Sequence, residues 1–159
     1  MSIIGIVAID KNGAIGKNGS IPWHYSSDLK FFKEQTIGHA CVMGRRTWLS
    51  LKKPLKERLN IVLSKSAEVE APEDNVLILL EKRFVLALVP YLSCHLYVIG
   101  GEQIYRAFQP EIEQWIVTEV PLAIDGADTF IPQNYWRHFT PLRTLTLADE
   151  LKVTFYERP

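Results

Sequence analysis

Two cysteines, Cys41 and Cys94, and two methionines are all the sulfur in this 159-residue chain. Neither cysteine belongs to a CxxC pair or a Cys/His cluster, which excludes the usual zinc ribbons and disulfide-stapled frameworks. Both are expected to be reduced, buried thiols in a cytoplasmic protein. Charge of one sign is also missing: 18 Lys plus Arg balance 18 Asp plus Glu. General nucleic-acid and membrane-surface binders carry a basic excess, so neither partner is expected. No apolar run reaches membrane-spanning length; the longest, residues 3–9 and 76–80, are strand-sized. The N-terminus has no basic stretch ahead of its apolar run and Asp10 follows closely, so no signal peptide is expected. There is no GxGxxG, no Walker motif and no local Ser/His/Asp or Cys/His arrangement. His24, His39, His95 and His138 lack metal-ligand spacing, so no metal is expected.

What is present is ordinary globular composition, 47% hydrophobic and 23% charged, long enough for one domain over residues 1–159. Residues 2–9 read as a buried strand and 10–23 as a long loop with Gly13, Gly16 and Gly19. Ser26 and Ser27 are N-cap candidates for a helix to about Thr36, stopped near Gly38. Further strands are expected at 40–43, 60–63, 76–79, 96–99 and 115–120, with a polar loop over 64–75. Helices are expected at 45–51, 81–89 and 102–108. The remainder reads as loop and a closing hairpin ending at 153–157. Strands that alternate with helices and then run together imply an α/β fold. Its central sheet is mostly parallel, with about eight strands, an antiparallel C-terminal edge and about four flanking helices. Ligands in such sheets lie beyond the carboxyl ends of the strands.

Two strand-to-helix turns there suit anions. Val98-Ile99-Gly100-Gly101-Glu102-Gln103-Ile104-Tyr105 lets backbone N–H groups approach a ligand closely. Val42-Met43-Gly44-Arg45-Arg46-Thr47 sets two arginines where cations oppose the helix dipole, unless an anion offsets them. Ser64-Lys65 adds a hydroxyl and another charge. Each turn alone reads more simply as an ordinary solvated turn; together they favour a dinucleotide. Asp28 sits in a first helical turn, one turn before Phe32, so a carboxylate and a ring share a wall. On that segment alone, an acid favoured at a helix start is the simpler reading.

These residues carry a resemblance. Ile15-Gly16, Ile21-Pro22-Trp23, Asp28-Leu29, Phe32-Lys33, the stretch 42–48, Pro54-Leu55, Arg58, Asn60, Leu63-Ser64, Val98-Ile99-Gly100-Gly101 and Asp128-Thr129 occur in the order and spacing of a bacterial dihydrofolate reductase. The similarity runs from about Ile3 to Pro132.

The resemblance implies hydride transfer from NADPH to dihydrofolate, giving tetrahydrofolate for one-carbon metabolism, with antifolate inhibitors as further ligands. It assigns Asp28 to the pteridine amino group and adjacent ring nitrogen, with Thr118 supporting that carboxylate. Ile6 and Ile99 would present carbonyls near the ring, Phe32, Leu51 and Leu55 would pack on the substrate, and Arg58 would hold the glutamate tail bidentately. Ala8, Ile15, Gly16 and Tyr105 would surround the nicotinamide. Gly44, Arg45, Arg46, Thr47, Leu63, Ser64, Lys65, Gly100, Gly101, Gln103 and Ile104 would hold the rest of the cofactor, with Ser64 and Lys65 near the extra phosphate. Residues 12–23 would be a lid ending at Trp23. Asp28, Trp23, Thr118 and Tyr105 are the implied catalytic set, with Asp28 orienting the ring and the proton arriving through water. A monomer is expected.

The chain departs from the family pattern at Lys52, where glycine is common, and at Lys56-Glu57, which replace a Pro-Gly step. Two rivals remain at this stage. One is a pyrimidine reductase of riboflavin synthesis on the same fold; the other is a folate- or nucleotide-binding module without turnover.

Overall fold

A computed structural model describes residues 1–66 and 73–159. Its centre is β1 (Ile3–Ile9), whose side chains alternate between faces as a strand's period of two requires. Ile3, Val7 and Ile9 enter one apolar cluster, and Ile4 and Ile6 enter the other. Five more strands run parallel to it: β3 (Ala40–Gly44), β4 (Leu59–Leu63), β5 (Val76–Leu79), β6 (Leu96–Val98) and β7 (Gln114–Glu119). The antiparallel pair β9 (Thr140–Thr146) and β10 (Lys152–Glu157) closes the edge, giving the order β5-β4-β3-β6-β1-β7-β10-β9. The eight-stranded, mostly parallel sheet agrees with the sequence expectation.

The chain leaves β1 and starts the other half of the sheet at β3, so the slot between them is filled later by β6. Strand order reverses at that slot. The crevice beyond the carboxyl ends of β1, β6 and β3 is therefore where a ligand fits such a sheet.

Four helices flank the sheet: α1 (Ser26–Thr36), α2 (Arg45–Ser50), α3 (Lys82–Leu88) and α4 (Glu102–Phe108). The expected serine N-cap does not form. Tyr25 holds the cap position without a side-chain bond, and Ser26 and Ser27 lie inside the first turn. Ser27 instead turns its hydroxyl to the Ala148 carbonyl, 3.4 Å away. At the other end Gly38 takes φ +80°, which glycine tolerates without Cβ strain. α3 is shorter than expected, and Pro90 sits within a short 3-10 turn that follows it.

Residues 10–23 are not the featureless loop expected from their glycines. They contain β2 (Ala14–Gly16), paired with β8 (Thr129–Phe130). Beyond β2, Lys17 and Ser20 exchange backbone hydrogen bonds of 2.9 and 3.2 Å around Asn18 (φ 52°) and Gly19 (φ 83°). An Asn-Gly pair with both φ positive is the two-residue turn that suits a tight hairpin. The expected polar loop 64–75 lies partly outside the described residues.

Candidate active site

The sheet sorts the candidate residues onto two faces. Ile6, Phe32, Leu51, Leu55 and Ile99 pack in one apolar cluster with Phe31, on the α1 side. Ile15, Leu63, Ile104 and Tyr105 belong to the cluster on the other face. Ala8 and Trp23 meet in a third, small cluster at the lid.

Asp28 lies in the first turn of α1 and is half-buried. Burial pushes its carboxyl above the ordinary carboxylate range. Among the described residues it has no ion-pair partner and no side-chain hydrogen bond. Thr118 is buried on β7 opposite Ala8, and the alternation of β7 puts it on the same face as Ile116 and Phe31. No direct bond joins Thr118 to Asp28 in the structure. Tyr105 reaches through from α4 and donates its hydroxyl to the Ile6 carbonyl at 2.7 Å. Burial, and then the Asp28 charge, hold its phenol strongly in the protonated form. Two of the candidate residues thus form one fixed unit, a tyrosine hydroxyl spent on a strand carbonyl, with the Asp28 charge close enough to be felt. Among the described residues the buried Trp23 indole N–H has no hydrogen-bond partner.

Arg58 is 8% exposed. Its Nε donates to the Lys56 carbonyl at 2.9 Å and its Nη1 to the Thr36 hydroxyl at 3.1 Å. Thr36 in turn donates to the Phe32 carbonyl at 2.8 Å. No carboxylate pairs with Arg58 among the described residues. A buried guanidinium aimed by two oxygens but lacking a counter-ion is built to receive one. Thr36 escaped the sequence reading, and its only signal was its place one turn after Phe32.

The loop that carries Leu55 and Arg58 is fixed by two asparagines. Fully buried Asn60 accepts the Leu55 N–H at 2.9 Å and donates to the Leu55 and Arg58 carbonyls at 2.9 and 3.1 Å. Asn75 donates to the same two carbonyls at 3.1 and 3.2 Å. Asn75 was also missed, since a loop asparagine carries no sequence signal of such a role.

The two glycine turns meet as neighbours. The Gly44 N–H donates to the Gly100 carbonyl at 2.9 Å, and a Cβ on Gly44 would lie 3.1 Å from Ile104. The Gly100-Gly101 peptide is cis. A Cβ on Gly101 would lie 3.8 Å from the Thr47 hydroxyl. Arg45, Arg46, Lys65 and Gln103 are exposed around these turns, and Thr47 is half-buried. Arg46 leans towards the lid: its Nη2 is 3.5 Å from where a Gly19 Cβ would be. Ser64 is buried, with its hydroxyl accepting the Ser66 N–H at 3.2 Å, so it shapes the loop around Lys65.

The segment expected as a lid is tied at its base and near its tip. Asp10 is buried, and its carboxylate accepts N–H groups of Asn12, Ala14 and Ile124, each at 2.8 Å. Burial pushes its pKa up, but the three N–H bonds outweigh this and leave it below the ordinary range. At the tip, Asp128 accepts the Asn18 N–H at 2.9 Å and the Thr129 hydroxyl at 2.9 Å. The Lys17 ammonium donates to the Asp125 carbonyl at 2.8 Å. The sequence reading places Asp10 only at the start of the 10–23 loop and gives no role to Asp125.

The remaining candidates sort simply. Cys41 is a buried free thiol, pushed up to about 12 by burial, and Cys94 is free and half-buried rather than buried. Among the described residues no group of His, Cys, Asp and Glu could hold a metal, and no helix is long and apolar enough to cross a membrane.

The family profile described as dihydrofolate reductase matches residues 2–157. The dihydrofolate reductase of Mycobacterium leprae is 42% identical over 125 residues, covering 76% of this chain and 73% of its own. That of Staphylococcus haemolyticus is 36% identical over 127 residues, covering 80% and 74%. Among solved structures, the enzyme of Enterococcus faecalis complexed with NADP(H) and RAB-propyl superposes with a TM-score of 0.88. It is 29% identical, covering 99% of this chain and 96% of that one. With the sheet order, the paired glycine turns and the half-buried Asp28 in place, these matches show that the chain belongs to the dihydrofolate reductase family.

Proposed function

We propose that this chain reduces 7,8-dihydrofolate to tetrahydrofolate with NADPH, as one domain over residues 1–159. One observation carries the reading. A half-buried carboxylate, Asp28, and a buried guanidinium, Arg58, both lack ion partners among the described residues. On α1, Asp28 stands one turn before Phe32 and Arg58 binds Thr36 one turn after it, and Phe32 shares an apolar cluster with Leu51 and Leu55. Such an arrangement complements a ligand with hydrogen-bond donors at one end, an aromatic middle and a carboxylate at the other. Dihydrofolate has that order of groups, whereas a ribosylamino-pyrimidine has no tail carboxylate for Arg58.

The residues also fit the cofactor. Gly44, Gly100 and Gly101 leave backbone bare at the crevice, and Arg45, Arg46 and Lys65 offer cations beside it. Thr47 and Gln103 add polar groups at the two turns. Ala8, Ile15, Gly16 and Tyr105 would flank the nicotinamide, and Leu63, Ser64 and Ile104 would shape the wall behind the phosphates. When bound, NADPH supplies the hydride. Asp28 accepts hydrogen bonds from the pteridine and, as a charge in a low-dielectric pocket, favours the protonated ring. Trp23 offers its unpartnered N–H at the lid side, and a water held between lid and ring delivers the proton. Thr118 supports the Asp28 carboxylate from the same sheet face. The Tyr105 hydroxyl keeps the Ile6 carbonyl aligned, and lid closure keeps bulk water from the reacting ring.

The protein is read as a cytoplasmic monomer, and two free thiols suit that reducing compartment. Antifolates that carry a basic diamino ring would meet the same Asp28. The test is NADPH oxidation followed spectrophotometrically on addition of dihydrofolate. Turnover is expected. Oxidation with a ribosylamino-pyrimidine but not with dihydrofolate would reject the reading, as would tight antifolate binding without turnover.

A further inference from the structure

The α1 face of the sheet opens a second time, at the end away from the crevice. Between the last turn of α1 and strands β1, β6, β7, β10 and β9 lies a cavity of about 320 Å³. Its floor is Ile4, Ile116 and Phe155, all from the apolar cluster of that face. Phe31 of α1 packs edge-on against Phe155, with ring centroids 6.2 Å apart. Gln35 lines the cavity seven residues after Asp28, about 10 Å further along the helix. His95 and Gln114 line it from the amino ends of β6 and β7. The crevice lies beyond the carboxyl ends of the strands, so the two sites are separate.

The polar side chains around this floor are unspent. Among the described residues, those of Gln35, Tyr97, Gln114 and Arg143 form no hydrogen bond and no ion pair. The Arg143 guanidinium carbon sits 4.2 Å from the centroid of the Phe155 ring. The ring covers one face of the cation and leaves its N–H edge free. Glu157, two residues beyond Phe155, forms no ion pair with it. Stacking on an aromatic ring alone accounts for Arg143. It does not account for a tyrosine hydroxyl and two amides gathered on the same apolar floor. His95 adds a donor: its Nδ1 accepts the Ser2 N–H at 2.9 Å, which leaves the proton of the neutral ring on Nε2.

We propose that this cavity is a second ligand site, for a small aromatic carboxylate that bears a hydroxyl or amino substituent. Arg143 pairs with the carboxylate through its free N–H edge, a match of two planar groups. The ligand ring lies on Ile4, Ile116 and Phe155. Gln35, Gln114 and the Tyr97 hydroxyl take the polar substituent, as a few placed polar groups do in an otherwise apolar pocket. Arg143 is the one lysine or arginine lining the cavity, so a single carboxylate suits it better than a diacid. The volume is at the small end for ligand pockets and admits one substituted ring, not a two-ring ligand with a long tail.

The experiment is a calorimetric titration of the purified protein with 4-hydroxybenzoate, set against neutral 4-hydroxybenzamide and non-planar cyclohexanecarboxylate. A Kd of about 1 mM or tighter is expected for a ligand of about ten non-hydrogen atoms. The amide should bind wild type at least about tenfold more weakly, and so should the acid bind Arg143→Gln. Thermal melts should show Arg143→Gln within about 2 °C of wild type, since the side chain is exposed. In 15N NMR spectra the side-chain amide signals of Gln35 and Gln114 should move on titration, and move equally with an antifolate filling the crevice. No binding at about 10 mM ligand, equal affinity for the acid and either control, or unchanged affinity in Arg143→Gln overturns the site. So do amide signals that stay still while the ligand binds, or binding that the antifolate abolishes.

Discussion

Gly5→Ala adds a single methyl to the middle of β1, where it has nowhere to go. Gly5 pairs in register with Trp115 of β7. A Cβ built on Gly5 would lie 2.5 Å from two carbons of the Trp115 ring and 2.9 Å from a third. Carbon atoms settle at about 3.5–4.0 Å, so the ring or the strand must move by about an ångström. The ring is held: Trp115 is fully buried and packs against Tyr105, Trp136 and Tyr135, with centroids 5.8, 5.3 and 6.2 Å away. Overpacking of this kind costs about 1–3 kcal/mol. For a chain of this size that lowers Tm by roughly 2–12 °C. Urea and thermal unfolding of the purified variant measure it. The pair Gly5→Ala with Trp115→Leu supplies the control, because the smaller side chain frees the space the methyl needs. The double variant should be more stable than the summed single effects by roughly 1–2 kcal/mol. A Gly5→Ala protein within about 0.5 kcal/mol of wild type, or strictly additive effects, would refute the packing argument. Function should follow stability here, since a displaced β1 also moves the Ile6 carbonyl that receives Tyr105.

Asp28→Asn should lower turnover sharply yet raise stability at neutral pH by roughly 0.5–1 kcal/mol, as removal of a functional buried charge often does. The sign follows from a folded-state pKa above the unfolded one: the buried charge destabilises above the folded pKa, and the penalty disappears as pH falls below the unfolded value. Melts at pH 7 and pH 3.5 should therefore show the gain only at the higher pH. The His39 Nδ1 accepts the backbone N–H of His95 at 3.0 Å, and the two rings stack with centroids 5.0 Å apart. Burial, and then His95, depress the His39 pKa, so its contribution is present above the ordinary value of about 6.5 and lost as pH falls. Urea midpoints at pH 7, 6 and 5 should decline in wild type and decline less in His39→Gln; identical slopes would contradict the assignment. Glu150 holds φ 61° in an exposed loop beside Asp149, also at φ 61°. Glu150→Gly should raise Tm by about 2 °C, the relief of left-handed strain exceeding the added chain entropy of glycine. A lower Tm would show that other contacts hold that turn.

Short apolar runs bounded by turn residues made most of the fold legible. Seven-residue β1, the 102–108 helix and the late antiparallel strands could be read because strand and helix periods act over a few neighbours. The lid was misread because its glycines look like a loop. Its short β2 gains a partner only from β8, more than a hundred residues away, although Asn18-Gly19 carried a local turn signal. The N-cap of α1 failed for a similar reason, since Ser27 found a distant carbonyl at Ala148.

Residue type and spacing by themselves determined the class of fold, the placing of Asp28 one turn before Phe32, and the two glycine turns at strand ends. These depend on local stereochemistry. Only the tertiary structure decided that the two turns touch, that Tyr105 is bonded to Ile6, and that Thr36 aims Arg58. It also decided that three buried or loop polar residues, Asp10, Asn60 and Asn75, hold the start of the 10–23 segment and the 55–58 loop. Each is a hydrogen bond made to satisfy a buried polar group. Its partner is whichever atom the packed sheet brings within reach.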